Sequence, residues 1–313
     1  MASSDSMELN SVTEDNEPED ARPKKGISGL VPYMMSLPAL LILIGILIPF
    51  FTSVYYSLTD YRLGNPNVEF IGLQNFVELF TSADFWHHTS VTFRYALFAV
   101  GAESILGAIL ALLLNTETVM AKIGRVFLLF PLMIAPIVGT LLWKLMMSPT
   151  YGVLNYLLSL IGVTGMGWGS DASTAMLTVV LVDVWIFTPF IALLLLAGLR
   201  GMPAAPFQAA RVDGASPWFV FKRITVPMVA PYYLIAVVFR LMDSIKMFDI
   251  IYGMTRGGPF DTLMNYQVAA YFRSFTYKDF SSGASMMVVT FLIIFLMSRF
   301  LITKWRQAQD KLS

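Results

Sequence analysis

Arg240, Asp243, Lys246 and Asp249 stand at steps of three in a run otherwise built of Leu, Ile, Val, Phe and Met. Alternating charges in so apolar a stretch suit either of two chemistries. Neighbours can neutralise one another as i, i+3 partners along a helix and so hold a bundle together. They can also form the polar wall of a path for an amphipathic solute, with Trp185 and Phe248 supplying aromatic faces. Steps of three drift around a helix, so the four spread over about half its circumference, and both readings stay open. Ionisable groups at membrane depth are costly unless paired or wet, so they should face a bundle interior or a cavity. Glu103 and Asp183 are similar lone charges in two other apolar runs, and no partner for either can be named from sequence.

Other chemistries lack the residues they need. The chain has no cysteine, which excludes disulfides, thiolate metal sites and cysteine nucleophiles. His87 and His88 are adjacent, so they do not share a helix face, and no nearby carboxylate set has metal-ligand spacing. There is no Gly-x-x-x-x-Gly-Lys-Ser/Thr stretch and no Gly-Lys pair, so the chain has no P-loop to cradle nucleotide phosphates. A formal charge of zero, without a basic stripe interleaved with aromatics, argues against a nucleic-acid partner. No nucleophile and base pair stands out in the apolar runs, which leaves a membrane-embedded hydrolase unsupported.

The elements that must position these residues are apolar. Of 313 residues, 56% are hydrophobic and only 13% charged, more than a soluble globule could keep from water. Six runs, near 30–57, 91–114, 125–147, 175–199, 227–250 and 286–303, reach the length of roughly 20 residues that a bilayer core requires. Backbone polar groups cannot stay unpaired in lipid, so the runs are predicted to be helices, with Pro38, Pro131, Pro136, Pro189 and Pro231 kinking rather than breaking them. The expected fold class is an all-α integral membrane protein in which the lipid bilayer is itself a partner. A polar, acidic stretch over 1–29 reads as a disordered tail, and 304–313 as a second tail. Gly107 and Ala111, four apart, are expected to let two helices approach closely.

Orientation follows from the cations. Arg22, Lys24, Lys25, Lys122, Arg125, Arg200, Arg211, Lys222, Arg223, Arg299, Lys304, Arg306 and Lys311 fall on one set of flanks, and Arg62, Arg94, Arg256, Arg273 and Lys278 on the other. The richer side is expected to be cytoplasmic, which places both termini and the 200–226 loop there. The segments 58–90, 148–174 and 251–285 then lie outside, long enough for short helices and a docking surface.

The 200–226 loop is unusually ordered in its sequence. Pro203 and Pro206 suit a first helical turn, and Gly214 suits a left-handed cap, which predicts a helix over about Pro203 to Asp213. Ser216 can cap a second short helix with Pro217 in its first position, and Pro227 marks the passage into the next apolar run. Gln208-Ala209-Ala210, then Asp213-Gly214-Ala215, then Ile224 to Pro227 resemble the EAA loop of binding-protein-dependent ABC importer permeases. Other segments are similar to the carbohydrate-type permeases of that family: Phe70 to Phe76, Phe130-Pro131, Trp185 with Pro189, and Phe248 to Pro259.

The resemblance covers roughly residues 30–303 and implies a type-1 ABC importer permease bundle, with the permease domain over 88–303. It implies a second permease subunit, two copies of a cytoplasmic ATPase subunit that holds ATP and Mg, and an extracytoplasmic solute-binding protein. This chain itself would bind no cofactor. The implied setting is the bacterial inner membrane, and the implied cargo a sugar or related polyol. Within the resemblance, the first loop helix docks in a groove of the ATPase through Phe207, Ala209 and Ala210. Gln208 departs from the family pattern, which has Glu there; the amide keeps the length and loses the charge. An ion-gradient-driven secondary transporter is the alternative, though no inverted repeat of interrupted helices is evident.

Overall fold

A computed structural model describes residues 31–65 and 67–310. The acidic stretch at 1–29, together with Arg22, Lys24, Lys25 and Lys311, lies outside the described residues. The chain divides into two units, Met1–Phe51 and Thr52–Ser313. The helices in chain order are α1 (Val31–Ser57), α2 (Gln74–Thr81), α3 (Ala83–Leu114), α4 (Val119–Met133), α5 (Pro136–Met146), α6 (Val153–Leu160) and α7 (Ala172–Arg200). They continue as α8 (Ala205–Val212), α9 (Pro217–Val220), α10 (Val226–Ile245), α11 (Asp249–Thr255), α12 (Tyr266–Tyr271) and α13 (Phe280–Asp310). Among the described residues there are two isolated β-bridges, Thr59 with Phe70 and Arg62 with Asp279, and no strand.

Five helical stretches are long and apolar enough to cross a membrane: Tyr33–Ser57, Ala83–Leu114, Ala172–Arg200, Pro217–Ile245 and Phe280–Gln307. The run expected at 125–147 differs. It forms α4 and α5, which meet at 97° across a short break. The cause is local: a residue before proline is pushed out of the α region, and Ile134 and Ala135 are extended, with ψ of 132° at both. Pro136 then opens α5 in its first turn, where its missing N–H costs nothing. Pro38, Pro131, Pro189 and Pro231 remain inside their helices, as expected.

Two further boundaries differ from the sequence expectation. The fifth apolar run stops being helical at Ile245, and α11 restarts at Asp249. The second loop helix is not separate from that run: α9 passes through a π turn over Phe221–Thr225 directly into α10.

Within Thr52–Ser313, α7 lies at the centre, with 67% of its most apolar window buried against 33% for α3. Asp171 caps it, accepting from the Ser173 backbone N–H at 2.9 Å and from its hydroxyl at 2.9 Å, which holds the Asp171 carboxyl below its usual range. The α3 to α7 contact depends on Gly107, since a Cβ there would lie 2.8 Å from Ile191 Cγ2 and 3.2 Å from the Ala192 backbone nitrogen. Gly107→Val is therefore expected to cost about 1–3 kcal/mol by overpacking, seen as a lower melting temperature in detergent; an unchanged melt would show that the helices are free to separate. Ile191, Leu195, Leu196 and Ala236 fill the core near one end of α7, and Val179, Val182, Ile186, Ile250 and Ile251 fill it near the other. The remaining apolar side chains, among them Leu97, Leu113, Phe127 and Leu296, point outward, as lipid-facing helices require.

Candidate coupling loop and translocation-path residues

The loop between α7 and α10 is built by local hydrogen bonds that its sequence encodes. Pro206 sits in the first turn of α8. At the other end Gly214 adopts φ of +68°, a left-handed conformation that glycine enters without a Cβ penalty. The Ala215 N–H then reaches back to the Ala210 carbonyl at 2.9 Å, and the Gly214 N–H to that of Arg211 at 3.3 Å. This pair of bonds is the Schellman closure of a helix C-terminus. Ser216 accepts from the Phe219 N–H at 3.3 Å to start α9, with Pro217 in its first turn. Trp218 and Phe221 stack with ring centroids 5.6 Å apart.

These bonds fold α8 back on α9 around a cavity of about 480 Å³ lined by Pro206, Ala209, Ala210, Asp213, Ala215, Ser216, Phe219 and Ile224. Most of the residues singled out in sequence therefore meet at one place. Their exposures differ. Gln208, Ala209, Asp213 and Gly214 are exposed, whereas Phe207, Ala215, Ile224 and Pro227 are half-buried. Ala210 is buried within the loop, and the exposed surface of α8 includes Gln208, Ala209, Arg211 and Val212. Beside the loop, the last residue of α7, Arg200, donates to Glu117 at 2.5 Å; both are partly exposed, so this pair contributes about 0–1 kcal/mol.

The charges of the fifth run do not form one ladder. Asp243 and Lys246 pair locally at 3.0 Å and are about half exposed, at 49% and 55%. Asp249 begins α11, beyond the break. Arg240 turns the other way, into the bundle. Its Nε donates to Glu103 Oε2 at 2.7 Å, and its Nη2 donates to Glu103 Oε1 at 2.9 Å and to Asp183 Oδ2 at 3.0 Å. The guanidinium also lies over the Phe187 ring, 4.0 Å from its centroid. The two acids without nameable partners thus share one cation across α3, α7 and α10. Their being the acidic groups of the second and fourth apolar runs was the available signal, because lipid leaves such groups little choice but to pair.

The aromatic candidates also separate. Trp185 meets Trp143 edge-on at 5.6 Å. Phe248 stacks on Tyr252 at 4.8 Å and leans on Tyr271 at 5.3 Å. Beside Phe248 lies a cavity of about 240 Å³, lined also by Gln267, Tyr271, Ser274 and Phe275. Sequence reading missed a more polar cavity of about 380 Å³ between the ends of α5 and α11, with Lys144, Ser148, Tyr151, Trp168, Ser170 and Thr255 in its walls. Lys144 donates to the Gly253 carbonyl at 3.0 Å across that junction. His87 contacts the Asp261 carbonyl oxygen at 2.8 Å. Among the described residues no group of three or more His, Cys, Asp or Glu side chains is placed to hold a metal ion.

Comparison with known proteins places this arrangement. The chain is 34% identical over 263 residues to the trehalose/maltose transport system permease protein MalF of Thermococcus litoralis, covering 84% of this chain and 89% of that protein. It is 36% identical over 274 residues to the probable ABC transporter permease protein y4oQ of Sinorhizobium fredii, covering 87% of each. Its fold matches a chain in the crystal structure of a bacterial ABC transporter involved in the import of the acidic polysaccharide alginate, with a TM-score of 0.79, 20% identity, and coverage of 90% of this chain and 96% of that one. Residues 103–307, which hold the buried cluster, the capped loop and all of helices α7 to α12, match the binding-protein-dependent transport system inner membrane components. By that match, and by its relatives over most of its length, the chain belongs to this family of membrane transport components.

Proposed function

We propose that this chain is the permease subunit of an importer that moves a sugar or related polyol across the cytoplasmic membrane, driven by ATP hydrolysis on a partner. The observation that carries the reading is the α8–Gly214–α9 corner, a capped, exposed device between two spans of a chain whose sequence has no nucleotide-binding loop. An amphipathic helix with small exposed residues fits a groove on another protein, and Ala209 beside Gln208 offers close approach there. ATP and Mg belong to that ATPase subunit, present in two copies. A second permease subunit completes the membrane part, and a solute-binding protein delivers the cargo from outside. Sugar as cargo is supported by the solute named for the Thermococcus relative. The cation distribution supports a cytoplasmic position for both termini and the loop.

The test is purification from membranes followed by reconstitution. An ATPase should co-purify, and uptake of labelled sugar should require both ATP and the solute-binding protein. Uptake by the chain alone, driven by a proton or sodium gradient, would sink the proposal.

A further inference from the structure

Two carboxylates and one guanidinium meet inside the bundle, so with both acids ionised the Glu103, Asp183 and Arg240 cluster would carry one surplus negative charge. Nothing dilutes that charge. The side-chain exposures are 1% for Arg240 and 0% for both acids. Among the described residues no second cation lies within salt-bridge distance of either acid. The titratable groups facing Asp183 are Tyr95 and Glu103 from α3 and Arg240 from α10. A lone buried charge in a hydrocarbon setting costs far more than a matched pair, and two carboxylates sharing one site do not both ionise easily.

The hydrogen bonds distinguish the two acids. Both Glu103 oxygens are taken by the guanidinium fork, the geometry of an ionised carboxylate. Asp183 accepts only through Oδ2, while its buried Oδ1 makes no hydrogen bond. The Tyr95 hydroxyl, buried on the facing helix beside Asp183, is likewise outside hydrogen-bonding geometry. A buried carboxylate oxygen that accepts no hydrogen bond is expensive as an anion and ordinary as an acid, whose O–H can donate to a neighbouring hydroxyl oxygen.

We propose that Asp183 holds a proton on Oδ1, which makes the cluster a buried, electrically neutral proton-binding site in the core of the permease. Glu103 remains the ionised partner of Arg240. Asp183 accepts from Arg240 through Oδ2, and its own O–H is available to the Tyr95 oxygen. The proton is taken from water as the spans assemble, and no other bond changes.

The test is infrared spectroscopy on the full chain in lipid nanodiscs at neutral pH. Wild type should show a carboxylic-acid C=O band that moves when aspartate is labelled with carbon-13 at its side-chain carboxyl and stays when glutamate is labelled likewise. The band should vanish in Asp183→Asn, whose amide copies a neutral acid and should leave the melting temperature unchanged. Absence of the band, or its movement with labelled glutamate, overturns the assignment. So does a missing band together with a melting temperature that rises on adding sodium, because a bound cation would then supply the missing charge. The labelled wild-type spectra decide the matter even where Asp183→Asn fails to fold.

Discussion

Replacing Arg240 by methionine should destabilise the bundle by about 3–5 kcal/mol, because it strips Glu103 and Asp183 of their shared donor while leaving both buried. The loss should appear as a lower melting temperature and lower abundance in the membrane. Combining Arg240→Met with Glu103→Gln and Asp183→Asn removes every charge at once and should restore most of the stability, since a neutral set of similar volume bears no uncompensated desolvation. A single variant as stable as wild type would mean that water reaches the cluster. By contrast, separating Asp243 from Lys246 should matter little, as that pair is half exposed.

The second large effect is expected in transport rather than stability. A Cβ added at Gly214, as in Gly214→Val, would meet no atom within 4 Å, so the cost lies in its φ of +68°. An L side chain in that region is unfavourable by about 1–2 kcal/mol, which corresponds to a roughly 5–30-fold shift between the folded corner and alternatives. ATP-driven uptake should fall by that order while assembly with the ATPase persists. Gly214→Asn, which tolerates the left-handed region, should retain most of the uptake. Equal activity of both variants would remove the corner from the coupling mechanism.

What could be read from sequence followed the range of the interactions. The caps at Gly214 and Ser216 depend on residues within a turn, and hydropathy located the long helices because lipid imposes it on contiguous residues. The break before Pro136 was hidden, since Pro131 a few residues earlier carries the same local signal and stays helical. Ala210 could not be told from Ala209, because which one packs inward depends on how α8 folds over α9. Step-of-three spacing correctly anticipated the Asp243 to Lys246 pair and gave no warning that Arg240 would reach across to other helices. Trp185, Arg240, Asp243, Lys246, Phe248 and Asp249 therefore divide into a buried cluster, a half-exposed pair, a helix start and two aromatic groups.

The bond between Asp183 and Arg240 has a mechanical meaning beyond charge. It ties α7 to α10, the two helices joined by the 200–226 loop, at a depth of about 25 Å along α7 from Arg200 by the helical rise. Two beams joined at one end by a corner and tied again between Asp183 and Arg240 resist sliding past each other and tilt as a frame. Force applied at the corner would then emerge on the far side of the membrane as rotation of that frame. The π turn at Phe221–Thr225, which lies between the corner and that tie, is the place where the frame would flex.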